Sequence, residues 1–475
     1  MPATADLRAR VPGPGLVSLA GIAAIGFGAL LPTEPALALS LLTVLPLALG
    51  APVASFGALL FVTTMVPIHF QNRFSVVGGV DVPGLLVVDL LLLVALGRIG
   101  ALMASGRLKP RTPLLLAGGL GLLLTAALTG GIAGGADVSE AGHEARRVAL
   151  GVGALLIAWP ILEDEAARPR LYGVLLAIGL AIGAGGFAQW LLAVDFAAAG
   201  DAGIRPGVDE TSGGRGQLQW ALYAYPVAVT LSYTALVSGR VRSLEARWLL
   251  AAIFLLNSLS LLLTFERTFW AATAIACGVA TLASGREARY AAAKWVPLGA
   301  VVLVTALAGL GELRTATERL VSVAGYATDE SLEHRKVETR AVIEEIKGNP
   351  FTGSGFGSTV TWGEEGVFAI QTTTYAHNGY LWLAWKTGIP TAALIVLLIA
   401  IAALWPRPPP REDHLAVLRT GSQAALFGLL LICVTFPAFN SYGITAVMGL
   451  MVAVCLQRGP SPPPERGDTR GPTRG

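Results

Sequence analysis

A succession of long apolar runs constrains the fold of this chain more than any other feature. A membrane helix needs about 20 apolar residues to cross roughly 30 Å of hydrocarbon. Fourteen runs approach that length, of which the second and sixth are short, so we expect about twelve to fourteen spans, near 15–31, 36–50, 52–70, 83–104, 113–133, 148–162, 171–194, 217–238, 247–264, 268–284, 294–310, 379–405, 415–436 and 439–457. The sequence therefore predicts an all-α, polytopic membrane protein.

The composition of the 475-residue chain agrees with this fold class. Hydrophobic residues make up 54% of the chain and charged residues only 14%, whereas soluble domains carry about 25% charged residues. These values exclude a disordered chain, a coiled coil and most soluble enzymes of this length. The net charge of +3 gives no reason to expect a nucleic-acid partner. The three cysteines stand singly in apolar runs and form neither a disulfide framework nor a CxxC metal site.

Lysine and arginine in the short loops predict the orientation of the chain. Cytoplasmic loops carry an excess of these residues. With fourteen spans, the basic loops all fall on one side, which the rule makes cytoplasmic: Arg8 and Arg10; Arg107, Lys109 and Arg111; Arg168 and Arg170; Arg240, Arg242 and Arg247; Arg286, Arg289 and Lys294; Arg407 and Arg411; and the tail from Arg458. Both termini are then cytoplasmic.

This orientation divides the chain into five segments. We expect a cytoplasmic segment over 1–14, transmembrane helices 1–11 over 15–310 and one long extracytoplasmic helical loop over 311–378. Transmembrane helices 12–14 follow over 379–457, and a disordered cytoplasmic tail over 458–475. No Walker motif, strand-preceded GxGxxG or HExxH occurs, which argues against an ATP-driven pump or a metallohydrolase.

Charged residues at the extracytoplasmic ends of spans are the candidate functional residues. Glu266 and Arg267 stand between two apolar runs with almost no loop to solvate them. Their charges either snorkel to the interface or serve function, because an arginine here can bind a phosphate through two parallel hydrogen bonds. Arg215 precedes the eighth span in a stretch that reads equally well as a flexible loop.

Two further places lie in and after the long loop. Arg335 and Arg340 belong to a predicted helix that also reads as an ordinary amphipathic surface helix, and the turn with Gly353 and Gly355 ends it. His377 and Asn378 stand at the mouth of the twelfth span, and the aromatic residues from Tyr380 onward are explained by an interfacial belt. A histidine in this place can accept a proton at physiological pH.

In their order along the chain, these pieces resemble the O-antigen ligase and O-antigen polymerase family. Its members are multispan glycosyltransferases that act on polyprenyl-diphosphate-linked glycans. The resemblance covers roughly residues 247–405. The matching pieces are TFER at 264–267, the helix beginning near Arg335, NPFTGSGFG at 349–357 and HNGYL at 377–381.

The resemblance implies a role for each candidate residue. It implies that Arg267 and Arg335 hold the diphosphate of the donor and that His377 is the base acting on the acceptor hydroxyl. The remaining candidates are further phosphate contacts, Arg340 and Arg215, and supporting residues, Glu266, Asn378, Tyr380, Gly353 and Gly355. The chain departs from the family where Glu266 replaces a frequent serine and Lys386 a frequent acidic residue.

We therefore expect a glycosyltransferase of a bacterial inner (plasma) membrane with its active site on the extracytoplasmic side. It would transfer or polymerise glycan repeat units carried on a polyprenyl diphosphate such as undecaprenyl diphosphate. The partners would be this donor, a glycan, lipid or protein acceptor, and the lipid bilayer, with no nucleic acid. We expect no cofactor and no metal, because no carboxylate cluster is present and arginines can stabilise the leaving diphosphate.

Two questions stay open at the level of sequence. The rival class is a lipid-linked oligosaccharide flippase or another multispan transporter, for which no internal repeat is visible. Within the transferase class, a ligase and a polymerase differ only in the acceptor. We further expect the long loop to close over the cleft, with the bend at Gly353–Gly357 as its hinge.

Overall fold

The structure is a computed structural model that describes residues 52–65, 76–77, 80–81, 87–106, 112–192, 222–321, 330–364, 368–405 and 413–457. Within these residues it contains α-helices, two short hairpins and one 3-10 turn at Ala438–Asn440. The helices are α1 Pro52–Met65, α2 Val87–Ala104, α3 Thr112–Ala133, α4 Val138–Glu163, α5 Arg168–Leu192, α6 Ala224–Val237, α7 Leu244–Leu263, α8 Arg267–Ala283, α9 Arg286–Gly309, α10 Leu313–Val321, α11 Glu330–Gly348, α12 Gly379–Thr387, α13 Ile389–Leu404, α14 Asp413–Ile432 and α15 Tyr442–Leu456. The strands are β1 Val76–Val77, β2 Val80–Asp81, β3 Val360–Glu364 and β4 Phe368–Thr373.

The apolar helices confirm the all-α polytopic fold. Six of them (α3, α4, α5, α7, α9 and α14) are long and apolar enough to cross a membrane, and six more (α1, α2, α6, α8, α13 and α15) are shorter apolar helices. Each corresponds to one predicted span. The first two predicted spans, near 15–31 and 36–50, lie outside the described residues.

The core of the bundle forms where helices approach closely at glycines. α4 and α15 meet at Gly151 and Gly449, where a Cβ on Gly449 would overlap the carbonyl oxygen of Gly151. Small residues allow this approach. The close packing that results stabilises the helix pair, because lipid provides no hydrophobic driving force between helices. The outward side of α9, by contrast, exposes large apolar residues such as Leu298 and Val301, as expected for a helix that faces lipid.

The predicted span at 379–405 is not one helix but two, and this is a correction. α12 ends at Thr387, Gly388 has φ of +80°, and α13 begins at Ile389 with Pro390 in its first turn. Glycine adopts this left-handed backbone without strain, and a proline in the first turn loses no intrahelical hydrogen bond. α12 is therefore a separate nine-residue helix at the end of the long loop.

The segment predicted as a helical loop also contains strands. α10 and α11 are helical as expected, but β3 and β4 form an antiparallel hairpin that the sequence analysis did not predict. Val360 pairs with Thr373 and Trp362 with Gln371 in this hairpin. The Trp362 ring meets the His334 ring edge-on at 5.6 Å, so the hairpin lies against α11.

Candidate active site

His377 lies directly before α12 and is held by a carboxylate of α11. Its Nδ1 is 2.8 Å from Glu338 Oε2, and its backbone N–H also donates to the same carboxylate at 3.3 Å and 3.4 Å. The Glu338 side chain is 4% exposed and the His377 side chain 38% exposed. The carboxylate occupies Nδ1, so Nε2 is the ring nitrogen that can serve an incoming group.

The backbone around His377 is fixed from two sides. Asn378 caps α12, because its Oδ1 accepts from the N–H groups of Tyr380 at 3.0 Å and Leu381 at 3.1 Å. The Gly379 N–H donates to Cys433 O at 2.8 Å, and the Tyr380 hydroxyl donates to a carbonyl at the end of α14. Asn378 and Tyr380 thus support the position of His377 through the helix that they anchor.

The TFER turn joins α7 to α8 through a strained residue. Phe265 has φ of +55°, the one positive value for a non-glycine residue in the part of the chain that the structure describes. Such a conformation costs about 1–3 kcal/mol and persists only where the surroundings impose it. Glu266 is the N-cap of α8 and Arg267 its first residue, and both are half-buried.

Aromatic rings connect this turn to α11. The Arg335 guanidinium lies 5.8 Å from the centroid of the Phe436 ring. Phe436 in turn meets Phe269 edge-on at 4.9 Å, and Phe269 lies 5.2 Å from Tyr223. Because Phe269 follows Arg267 by two residues in α8, the turn and Arg335 reach the same aromatic patch. An arginine over an aromatic face is a stabilised cation that keeps its donors available.

The surroundings of Tyr375 show that three charged groups and His377 lie around one place. The Tyr375 ring meets the His377 ring edge-on at 5.1 Å. Burial raises the pKa of the Tyr375 phenol well above its usual range, the carboxylates of Glu338 and Glu266 raise it further, and Arg335 opposes the rise. The TFER turn, α11 and the segment before α12 therefore converge, although they are far apart in the sequence.

The glycine turn after α11 is a packed junction, which disfavours the predicted hinge. Gly353, Gly355 and Gly357 all have positive φ. A Cβ on Gly355 would overlap the backbone of Gly131 in α3. The N–H groups of Ser354 and Gly355 donate to the carbonyls of Trp385 and Lys386 at 2.7 Å and 3.2 Å. These bonds satisfy carbonyls that the break after α12 would leave without partners.

A buried ion pair completes this junction. Lys386 Nζ is 3.0 Å from Glu144 Oε2 in α4, and both side chains are 0% exposed. The same carboxylate oxygen accepts from the Gly357 N–H at 2.7 Å, and Lys386 donates to Ser358 O at 2.5 Å. The departure of Lys386 from the family pattern therefore has a structural counterpart in Glu144.

The structure separates Arg340, another predicted phosphate contact, from this site. Arg340 is exposed on α11, and at about 100° per residue it lies about 200° around the helix from Glu338. Arg215 lies outside the described residues. No group of three or more His, Cys, Asp or Glu side chains that could hold a metal ion occurs among the residues that were placed.

Sequence reasoning missed several residues of the site. Glu338 follows Arg335 by three positions, so their shared helix face was visible in the sequence. Tyr375 and Phe436 gave no such signal, because aromatic residues near span ends are common. Glu144 was missed because the predicted span near 148–162 begins after it, whereas the helix α4 begins at Val138.

Comparison with known families supports the sequence resemblance. Residues 252–396 match the family model described as O-antigen ligase. The match extends from α7 to α13, so it contains the TFER turn, α11, the glycine turn and His377. No curated protein and no solved structure gives a significant match to the chain.

Proposed function

Because residues 252–396 match the O-antigen ligase family model, we propose that the chain is a multipass membrane enzyme of this kind, which transfers a glycan from a polyprenyl diphosphate to an acceptor hydroxyl. The family match implies a transferase that acts on lipid-linked glycans. The proposal adds which residues act, what the donor is and on which face of the membrane the reaction takes place.

One observation carries the proposal: the His377 ring is held at Nδ1 by a buried carboxylate while the ring itself is partly exposed. A neutral histidine in this arrangement donates from Nδ1 to Glu338 and presents Nε2 as a proton acceptor. The carboxylate also stabilises the imidazolium that forms when a proton is taken up. A flippase or transporter has no need of such an oriented base.

Arg335 and Arg267 are proposed to bind the diphosphate of the donor. Arg335 lies over Phe436, and Arg267 begins the helix that carries Phe269 against the same ring. Guanidinium groups match phosphate oxygens in planar pairs. In a partly buried site their charge stabilises the leaving diphosphate more strongly than it would in water.

The reaction then balances without a cofactor. The acceptor oxygen forms a bond to the anomeric carbon of the donor sugar, and its proton passes to His377 Nε2. The bond between that carbon and the diphosphate oxygen breaks, and the polyprenyl diphosphate leaves with the bonding electrons. A donor that carries its own leaving group needs no nucleotide supply at the site.

The extracytoplasmic placement of this site remains part of the proposal. Arg240, Arg242 and Arg247 lie at the start of α7, whereas Arg267 follows its end. A 20-residue helix is about 30 Å long, which is the thickness of the hydrocarbon core. The basic loop and the candidate site are thus at opposite ends of one span. We propose that the membrane is a bacterial inner membrane. The expected loop over 311–378 then lies on the extracytoplasmic side, and the segment 379–457 follows it.

A transfer assay with the purified full-length chain tests the proposal. The donor is a polyprenyl-diphosphate-linked oligosaccharide in proteoliposomes, and the acceptor is a fluorescent glycolipid. We expect a new glycosidic product, its formation in the presence of EDTA, and its loss in Arg335→Gln and Arg267→Gln. Movement of the donor across the bilayer without a new bond would support a flippase instead and overturn the proposal.

The same assay separates a ligase from a polymerase. A product on the glycolipid indicates a ligase, whereas extended chains that stay on the polyprenyl diphosphate indicate a polymerase. Arg340→Gln is the matched control, because Arg340 belongs to the same helix but lies on its exposed side. Its transfer rate should stay within about twofold of the wild type, as expected for a surface substitution worth less than about 0.5 kcal/mol.

A further inference from the structure

A cluster of two arginines and one histidine lies on α4, outside the residues matched by the family model. We define the α4 cluster as His143, Arg146 and Arg147, which contact the start of α15. Arg146 Nε pairs with Asp89 of α2 at 2.9 Å, and its Nη1 lies 3.2 Å from His143 Nδ1. His143 Nδ1 is also 3.2 Å from the Tyr442 hydroxyl.

Arg147 differs from Arg146 in its partners. Its Nη1 donates to Asn440 Oδ1 at 2.6 Å, and its guanidinium lies 5.2 Å from the centroid of the Tyr442 ring. Its Nε is buried and has no hydrogen-bond partner among the described residues. Asp89 pairs with Arg146, and the nearby Glu144 is paired with Lys386. Within the described chain, Arg147 hydrogen-bonds to a neutral amide and lies over a ring. The Glu144 carboxylate attracts it electrostatically but forms its ion pair with Lys386.

A half-buried guanidinium in this state is a site for an anion. Arg has five N–H donors and no acceptor, and among the described residues Asn440 Oδ1 is the one acceptor of a hydrogen bond from Arg147. Burying a cation is costly unless a carboxylate hydrogen-bonds to it. A phosphate oxygen would supply both the charge and the missing acceptors in one group.

The α4 cluster lies beside the candidate active site. The chain from Phe436 to Asn440 connects them, since Arg335 covers Phe436 and Arg147 binds Asn440. Four residues span at most about 14 Å when fully extended, and the 3-10 turn at Ala438–Asn440 shortens that distance. Glu140 lies one turn before His143 and accepts a hydrogen bond from the Thr374 hydroxyl at 3.2 Å. Thr374 lies shortly before His377 in the chain.

We infer that the α4 cluster is a second anion site, which holds a phosphate group of the acceptor while Arg335 and Arg267 hold the donor. This inference rests on the proposed transferase function. It narrows the acceptor to a phosphate-bearing glycan or glycolipid whose phosphate lies one or two sugar rings from the reacting hydroxyl. Two separate cation sites keep the two anionic substrates apart, and their spacing selects which hydroxyl reaches His377.

Chemical labelling of arginine tests the site without relying on activity. The full-length chain in dodecyl maltoside micelles is treated with phenylglyoxal, and the modification of each arginine is measured by mass spectrometry. Glucose 6-phosphate is the probe, glucose the neutral control, and phosphatidic acid added to the micelles the lipid-headgroup control. Arg314, which is 90% exposed, is the reference arginine.

We expect glucose 6-phosphate to slow the modification of Arg147 several-fold, with no effect of glucose and no change at Arg314. Equal labelling with glucose and glucose 6-phosphate would overturn the inference. An Arg147 that never reacts would overturn it too, because a site closed to phenylglyoxal is closed to phosphate. Protection by phosphatidic acid alone would assign the site to a bilayer headgroup and overturn the acceptor assignment.

Kinetics separate this site from the donor site. Arg147→Gln should raise KM for a phosphorylated acceptor about tenfold, the loss expected from one charge-assisted hydrogen bond, and Arg147→Lys should recover part of it. KM for the donor should stay constant in both variants. If the wild type makes no product, the transferase proposal fails while the labelling result still decides whether the anion site exists.

Discussion

Each end of α12 carries a basic side chain paired with a glutamate, and the two basic side chains differ in their exposure. At its start, His377 pairs with Glu338 of α11, and the histidine side chain is 38% exposed. At its last turn, Lys386 pairs with Glu144 of α4, and both side chains are 0% exposed. The helix between them has nine residues and is about 14 Å long.

This difference in exposure indicates a structural role for the Lys386 pair and a chemical role for the His377 pair. The Lys386 pair joins α4, α12 and the glycine turn, and its groups are engaged with one another and with Gly357 and Ser358. The His377 pair leaves a ring nitrogen for another molecule. A buried ion pair bonded to neighbouring backbone groups stabilises an arrangement, whereas the half-exposed histidine of the other pair can take up a proton. We expect each pair to respond differently to substitution.

The largest effect is expected from His377→Ala. Removing a general base lowers the rate about 10²- to 10⁴-fold, and the transfer assay in proteoliposomes measures it. Because His377 is partly exposed, the melting temperature in detergent should hardly change. His414→Ala is the matched control, since His414 is exposed at the far end of α14. Retention of wild-type activity by His377→Ala would remove the proposed base.

The next effect is on stability, at the other end of α12. Lys386→Ala leaves the Glu144 carboxylate buried without its cation, which costs about 3–5 kcal/mol in comparable pairs. Denaturant unfolding in micelles measures the loss. Lys386→Met combined with Glu144→Leu should lose less than Lys386→Ala, because no charge is left buried. Lys347→Ala, which breaks the exposed pair with Glu344, should change stability by about 1 kcal/mol or less.

A glycine substitution tests whether the Lys386 end of α12 has a structural role. Gly355 has φ of +84°, and a Cβ there would overlap the Gly131 backbone. Gly355→Ala should therefore destabilise the fold by about 1–3 kcal/mol, measured by thermal unfolding. Gly348→Ala is the control, because a Cβ at Gly348 meets nothing within 4 Å. If both variants melted alike, the turn would be a loose hinge after all.

The smallest effect is expected from Glu338→Gln. The amide can still bond to His377 but no longer stabilises the imidazolium, and a charged hydrogen bond exceeds a neutral one by about 1–1.5 kcal/mol. We expect about a tenfold fall in kcat with little change in the donor KM. A fall as large as that of His377→Ala would mean that Glu338 positions the ring as well as stabilising its charge.

Sequence reasoning predicted some parts of this molecule well, for identifiable reasons. The twelve predicted spans in the described residues were found because each is a local apolar run that contains its own signal. Arg267, Arg335 and His377 were singled out as candidates because Asp, Glu, Lys and Arg make up only 14% of the chain and it has only 5 histidines. The break at Gly388 was missed because backbone groups on both sides of it bond to the distant glycine turn. The β3–β4 hairpin was missed although its two strands pair with each other.

The sequence by itself determined that this chain is a helical membrane protein, where the apolar helices of its described residues lie and which few charged residues are available for chemistry. Those properties follow from local hydropathy and from the cost of placing charge in lipid. Only the tertiary structure decided which carboxylate meets which cation. Glu338 lies 39 residues from His377 and Glu144 lies in a different helix from Lys386, so no local pattern could assign either pair. Helix packing brings them together, and the exposure it leaves separates the candidate base from the structural pair.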